Sequence, residues 1–224
     1  MNIEGLNKIF NVNKSTFYGF DEEGRIQARG RFISEFDIAE FSDIKACYLV
    51  GFKKKNLAEL VDLFPNILEI TMEKSSQLVS LEGLQKLTEL RKIVLHNLPK
   101  LTDLSALKFN ENLTDLDSAQ FKNKVNLLSF LSKDNLMKLS INDTVTDLEE
   151  VSNFTNLSSL RLHGWDSPRT SLPNLPKLNK NLGITGFPNL TDASFMTNLD
   201  STIYINWQGP KNISNIPSHL KSKF

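Results

Sequence analysis

The sequence predicts an α/β solenoid, a stack of about eight strand-and-return units, none of which can bury its apolar face alone. Three observations carry that prediction. The first is a repeat. Leu90-x-x-Ile93-x-Leu95-x-x-Leu98-x-x-Leu101-Thr102-Asp103 shares its frame with Ile67-x-x-Ile70-x-Met72-x-x-Ser75-x-x-Leu78. The frame recurs at Leu113 and Leu116, at Leu136, Leu139 and Ile141, and at Leu157, Leu160 and Leu162, with looser copies from Ile44, Asn179 and Asp200. The starts at 44, 67, 90, 113, 136, 157, 179 and 200 give steps of 23, 23, 23, 23, 21, 22 and 21 residues. The second observation is alternation. Positions one, four and six are apolar in most units while three, five and seven face away, as a strand demands. The third is a second apolar beat after each strand. Leu78, Leu81, Leu84 and Leu87 show it, as do Leu148, Val151, Phe154 and Leu157, at a spacing that suits a helical or 3-10 turn on the outer side. Function is therefore to be sought on the outward positions of a strand array rather than in a catalytic pocket.

Residues 1–43 lie outside the frame. Phe17-Tyr18-Gly19-Phe20 and Arg25-Ile26-Gln27-Ala28-Arg29 flank the acidic turn Asp21-Glu22-Glu23-Gly24, the pattern of a β-hairpin. A stack needs an atypical first unit over its apolar face, so this segment is read as an N-terminal cap without a binding role. Residues 44–209 hold the eight units. Their strands are expected at Ala46–Val50, Glu69–Glu73, Lys92–His96, Asp115–Ala119, Lys138–Asn142, Ser159–His163, 182–185 and 202–206. The apolar run from Val125 to Leu131 falls in a return and is read as core. Ser171-Leu172-Pro173-Asn174-Leu175-Pro176-Lys177-Leu178 places two prolines three apart, which disfavours a helix and predicts an extended return. Residues 210–224 leave the frame, end with Lys221 and Lys223, and are expected to form a C-terminal cap with a frayed tail.

The L-x-x-L-x-L strand cores resemble the leucine-rich repeat family over about three quarters of the chain. The tails Leu101-Thr102-Asp103 and Leu190-Thr191-Asp192 resemble the x-x-I-T-D ending of its cysteine-containing subtype. The ninth position, Asn or Cys in that family, here holds Phe52, Ser75, Leu98, Phe121, Thr144, Trp165, Phe187 and Gln208. Most of these cannot form the usual buried asparagine ladder, so aromatic packing is expected to fill that layer, with Trp165 in the core. The resemblance implies a curved leucine-rich-repeat solenoid with a parallel sheet on its concave face, used to bind other proteins.

Composition narrows the partners. The 224 residues include 26 Lys and Arg against 26 Asp and Glu, for a net charge of zero. That balance argues against bulk attraction to nucleic acid or an anionic membrane. The single cysteine, Cys47, allows neither an internal disulfide nor a Cys-based zinc site. Residues 1–14 lack the basic and apolar regions of a signal peptide, and no run approaches the roughly 18 apolar residues of a membrane span. The expectation is a cytoplasmic protein, monomeric in isolation, with secretion by a signal-peptide-independent route as the alternative. No cofactor is implied. His96 and His163 share a column about 14 Å apart and cannot ligate one zinc, and His219 lies in the tail. Gly-rich phosphate loops, H-E-x-x-H and EF-hand spacings do not occur.

Three outward columns follow from the frame. The third position reads Ala46, Glu69, Lys92, Asp115, Lys138, Ser159, Asn181 and Thr202, a charge ladder that satisfies itself across strands. The fifth reads Tyr48, Thr71, Val94, Asp117, Ser140, Arg161, Gly183 and Tyr204. The seventh reads Val50, Glu73, His96, Ala119, Asn142, His163, Thr185 and Asn206. Asp117, Ser140 and His163 fall on three successive strands and superficially resemble a catalytic set. On ideal spacings His163 lies about 8 Å from Ser140, beyond hydrogen-bond reach, and no oxyanion site is offered. No catalytic residue is assigned.

The reading is a non-enzymatic protein–protein recognition module, whose partner is a protein such as a toxin or a host protein. Glu73, His96, Asp117, Arg161 and His163 form the centre of its binding face, with Tyr48, Tyr204 and Trp207 towards the ends, since interfaces favour Tyr, Trp and Arg as anchors. Trp207 either joins Tyr204 there or folds under the C-terminal cap. Arg161 can clamp a carboxylate with two parallel bonds. The two histidines would make binding mildly pH-sensitive near their ordinary pKa of about 6.5. An inhibitor such as a bacterial immunity protein or antitoxin is the sharper reading, and the Asn- and Lys-rich composition points to a low-GC bacterium. A secreted effector acting on host proteins and a structural scaffold are the alternatives.

Overall fold

The computed structural model describes Tyr18–Phe20, Arg25–Ala28 and residues 45–224 apart from 166. Each repeat contributes one strand to a single ten-stranded sheet ordered as in the sequence. Strand β1 (Tyr18–Phe20) pairs antiparallel with β2 (Arg25–Ala28), and β2 runs parallel to β3 (Ala46–Val50). The hairpin thus hydrogen-bonds directly to the first repeat strand. The remainder of the expected N-terminal cap lies outside the described residues. Strands β4 (Glu69–Glu73), β5 (Lys92–His96), β6 (Asp115–Ala119), β7 (Lys138–Asn142), β8 (Ser159–His163), β9 (Asn181–Thr185) and β10 (Tyr204–Gln208) follow, each parallel to its neighbour. The fold is a leucine-rich-repeat solenoid of eight units.

β3 to β8 occupy the predicted residues, and the last two strands differ. β9 begins one residue earlier than expected, and β10 covers Tyr204–Gln208 instead of 202–206. The register Tyr204↔Asn181 and Ile205↔Leu182 moves the last unit two residues beyond the Asp200 frame. The cause is a local turn. Asp200 Oδ1 accepts from the Thr202 amide at 2.8 Å and its hydroxyl at 2.7 Å, an Asx turn that keeps these residues out of the strand. The following Ile203 then takes the buried place, at 0% exposure.

The fourth-position residues Ile70, Ile93, Leu116, Leu139, Leu160 and Leu182 stack in the core above the sixth-position Leu49, Met72, Leu95, Ile141, Leu162 and Ile184. Burying each such side chain contributes about 1.5–3 kcal/mol. On the outer side, helix α1 (Ala58–Leu63) serves the first unit, and 3-10 turns such as Ser105–Phe109 and Leu148–Asn153 serve later ones. The proline-interrupted return at 171–178 has no helix, yet Leu172, Leu175 and Leu178 are all buried. Among the described residues, no helix is long and apolar enough to cross a membrane.

Polar spines join the units, though not at the ninth position. The amides of Asn112, Asn135 and Asn156 donate to the carbonyls of Thr88, Glu111 and Asp134 of the preceding unit, at 3.1, 2.9 and 2.6 Å. This asparagine ladder is exposed and runs along the flank before the strands. The Leu-Thr-Asp tails act on the opposite flank. Asp103 and Asp192 accept from the amides of Ser105 and Ser194 at 3.0 and 2.7 Å, where the 3-10 turns begin.

The ninth position depends on the eighth. Gly51, Lys74, Asn97, Gln120 and Gly186 all have positive φ, which turns the chain and buries Phe52, Ser75, Leu98, Phe121 and Phe187. In the sixth unit the turn comes one residue late, at Trp165 with φ 44°. Gly164 goes inward and the Trp165 ring is 59% exposed, contrary to the expected core position. The reason is a glycine pair. A Cβ on Gly164 would lie 2.3 Å from the Gly186 carbonyl oxygen, so the two backbones touch where a side chain would otherwise pack.

Residues 210–224 fold back over β10. Leu220 is fully buried within the final 3-10 turn, Ser218–Lys223, and anchors this end. The corrected register puts Trp207 at an inward sixth position. Its Nε1–H donates to the Pro210 carbonyl at 3.1 Å, and its ring meets Phe224 edge-on with centroids 5.2 Å apart. Trp207 therefore belongs to this packed end and not to the outward face.

Candidate functional site

With the register set, the third column ends in Tyr204, the fifth in Asn206 and the seventh in Gln208. A groove of about 420 Å³ crosses β5 to β9, and a second of about 410 Å³ lies over β8 to β10. Both lie over the outward columns of the parallel sheet, the concave face of a leucine-rich-repeat solenoid.

The charge ladder is satisfied in pairs. Lys92 Nζ lies 3.6 Å from Glu69, and Lys138 Nζ lies 2.8 Å from Asp115. The centre is built on Asp117. His96 Nε2 sits 3.2 Å from its Oδ1. Asp117 lifts the His96 pKa above its ordinary value through this contact, burial opposes the lift, and the charges of Asp117 and Glu73 add to it. Burial pushes the Asp117 carboxyl up, but the His96 contact, a hydrogen bond from Ser140 and the charge of His163 outweigh it and hold the pKa low. His163 moves the other way from His96. Burial lowers its pKa, Asp117 resists, and the charges of Arg161 and His96 lower it further.

The structure thus gathers His96, Asp117, Ser140, Arg161 and His163 into one patch, with Glu73 beside His96. Asp117 is held by His96 on one side and Ser140 on the other, so the strand order expected of a catalytic set becomes a polar pair with a supporting hydroxyl. Tyr48 lies on β3, far from this centre, and Tyr204 lies on β10 with 68% exposure. Trp165, the residue that sequence reasoning placed in the core, follows Arg161 and His163 out of β8. Its ring centroid is 6.4 Å from that of His163. The Gly164 and Gly186 positions signalled it, but only their contact shows the turn delayed. Cys47 is buried, which pushes its thiol up to about 12 and leaves it unreactive. Among the described residues, no three His, Cys, Asp or Glu side chains come together as a metal site.

No protein-family model and no curated protein matches the chain. Among solved structures, an internalin from Listeria monocytogenes superposes with a TM-score of 0.55 at 17% identity, over 82% of this chain and 53% of the internalin. The chain therefore spans about half the length of that structure. At this identity the likeness carries the fold alone, an internalin-like leucine-rich-repeat array.

Proposed function

We propose that this chain is a non-enzymatic recognition module that binds a protein partner through the concave face of its sheet. The observation that supports this best is a broad face, grooved across five strands, on which Arg161 and Tyr204 stand exposed, with the exposed Trp165 beside His163 just beyond β8. Arg, Trp and Tyr dominate the energetics of protein interfaces. A rigid face of this kind can act simply by covering another protein's working surface. On that ground we place the chain as a monomeric inhibitor of the immunity-protein or antitoxin kind, acting in the cytoplasm. A secreted effector would use the same face on a host protein, and the partner's identity separates the two.

The test is affinity capture from lysate of the source organism with three folded baits. These are the wild type, Asp117→Lys with Arg161→Glu on the sheet face, and Lys108→Glu with Phe109→Ser on the outer turn. The expected result is one protein held by the wild type and the outer variant and weakened about 100-fold or more by the sheet variant. That protein's activity should then fall in proportion to added chain. Capture that survives the sheet changes and vanishes with the outer ones would overturn the reading.

A further inference from the structure

We infer that the β8–β10 half of the concave face is built to seat an acidic, extended segment of a protein partner, with Arg161 holding its carboxylate and Trp165 covering the neighbouring apolar side chain. The inference rests on the recognition reading above and adds the chemistry of the partner.

Charge is unevenly distributed along the face. In the first half, the acids and bases answer one another: Glu69 with Lys92, Asp115 with Lys138, Asp117 with His96. From β8 onward, the outward positions are Ser159, Arg161, His163, Asn181, Gly183, Thr185, Tyr204, Asn206 and Gln208, without one carboxylate. Arg161 stands in that half, and Lys180 lies beside it on the rim of the same groove. Among the described residues, neither has an ion-pair partner. An unmatched guanidinium on a curved sheet, with open groove on both sides, is complementary to an anion.

The backbone around it keeps the site open. Gly183 faces Arg161 from the next strand, and a Cβ there would come within 3.2 Å of the Arg161 Cγ. Glycine leaves that flank free for a ligand to reach the guanidinium fork. One turn further, the Gly164–Gly186 contact delays the left-handed turn and holds the Trp165 ring out in solvent. Arg161 and His163 project along β8 about 6.6 Å apart, and Trp165 continues beyond the end of the strand with its ring centroid 6.4 Å from that of His163. Tyr204 closes the far wall of the 410 Å³ groove. Such a row matches the alternate side chains of one extended segment, which repeat at the same interval.

The experiment is selection of a random displayed peptide library on the full-length chain, followed by binding measurements with the selected peptides. The expected result is enrichment of peptides carrying Asp or Glu next to an apolar residue. Their affinity should fall about tenfold or more with Arg161→Gln and with Trp165→Ala. It should fall less with Arg161→Lys, which keeps the charge and loses the fork. Glu69→Gln should leave it unchanged. Replacing the peptide's own Asp or Glu by Asn or Gln on wild-type protein should reproduce the loss, a comparison that no folding defect can imitate. Enrichment of neutral or basic peptides, no enrichment, or indifference to Arg161→Gln would each overturn the inference. If Asp117→Lys then abolishes binding while Arg161 is immaterial, the recognition face stands and only the acidic-segment inference fails. Binding lost only on the outer-turn change removes both.

Discussion

His96 and Asp117 face each other across neighbouring strands, and folding moves their pKa values apart. His96 is raised, so its contribution is complete below about pH 6.5 and is lost as pH rises through the raised value. Asp117 is lowered, so its contribution holds above the ordinary carboxylate range and is lost as pH falls through the depressed value. The pair is therefore strongest in the mildly acidic window between. Asp117 keeps 39% of its side-chain surface, so solvent screening limits the effect. We expect His96→Gln to cost about 0.5 kcal/mol near pH 5.5 and almost nothing near pH 8.5. His163, whose pKa burial depresses, works in the opposite sense, and it is present in both proteins. Urea unfolding at the two pH values checks this, and an equal loss at both would show that the pairing does not govern the site. The two histidines and Asp117 were legible as outward residues because strand alternation places them. Their pairing was not, because a diagonal contact depends on side-chain direction as well as column.

At the scale of the element, the sixth unit shows how one turn decides a surface. A residue with positive φ at position eight normally sends position nine inward, as Gly51 does for Phe52 and Gly186 for Phe187. In the sixth unit the backbones of Gly164 and Gly186 touch and the turn slips to Trp165. A methyl on Gly164 would meet the Gly186 carbonyl oxygen at 2.3 Å and the Phe187 ring at 2.8 Å. We expect Gly164→Ala to destabilise the protein by about 2 kcal/mol or more and to alter the Trp165 fluorescence, since the strand must retreat. Unfolding midpoints and emission spectra together check it, and an unchanged midpoint would mean that the contact is loose. The same variant should weaken any partner that uses Trp165.

For the whole molecule, stability is a sum of unit and interface terms, and the two ends matter most because each must cover an apolar face. At the C-terminal end, Trp207 and Phe224 meet edge to face, and Leu220 is buried. Removing the indole uncovers the last core layer and loosens the backing of β10, the open edge of the sheet. We expect Trp207→Ala to cost about 2 kcal/mol and to produce concentration-dependent association. Denaturant unfolding and light scattering would measure both. A monomer of unchanged stability would place the covering function elsewhere in residues 210–224.

What the sequence determined by itself is the period, the inward fourth and sixth positions and the bounds of β3 to β8. A parallel stack repeats one local pattern many times, so errors in any single unit are corrected by its neighbours. The tertiary structure alone decided the start of the last unit, the outward place of Trp165, the inward place of Trp207 and the pairing of His96 with Asp117. The turn at Trp165 and the pairing of His96 with Asp117 depend on contacts between units about 22 residues apart, as between Gly164 and Gly186, while the Asp200 turn and the contacts of Trp207 with Pro210 and Phe224 settle the last unit. Moving a strand by one residue exchanges the faces its side chains occupy, and moving it by two, as at β10, carries each side chain to the next place along the same face. The register that sets those faces is written in backbone hydrogen bonds to the next strand, which a local reading of the chain does not contain.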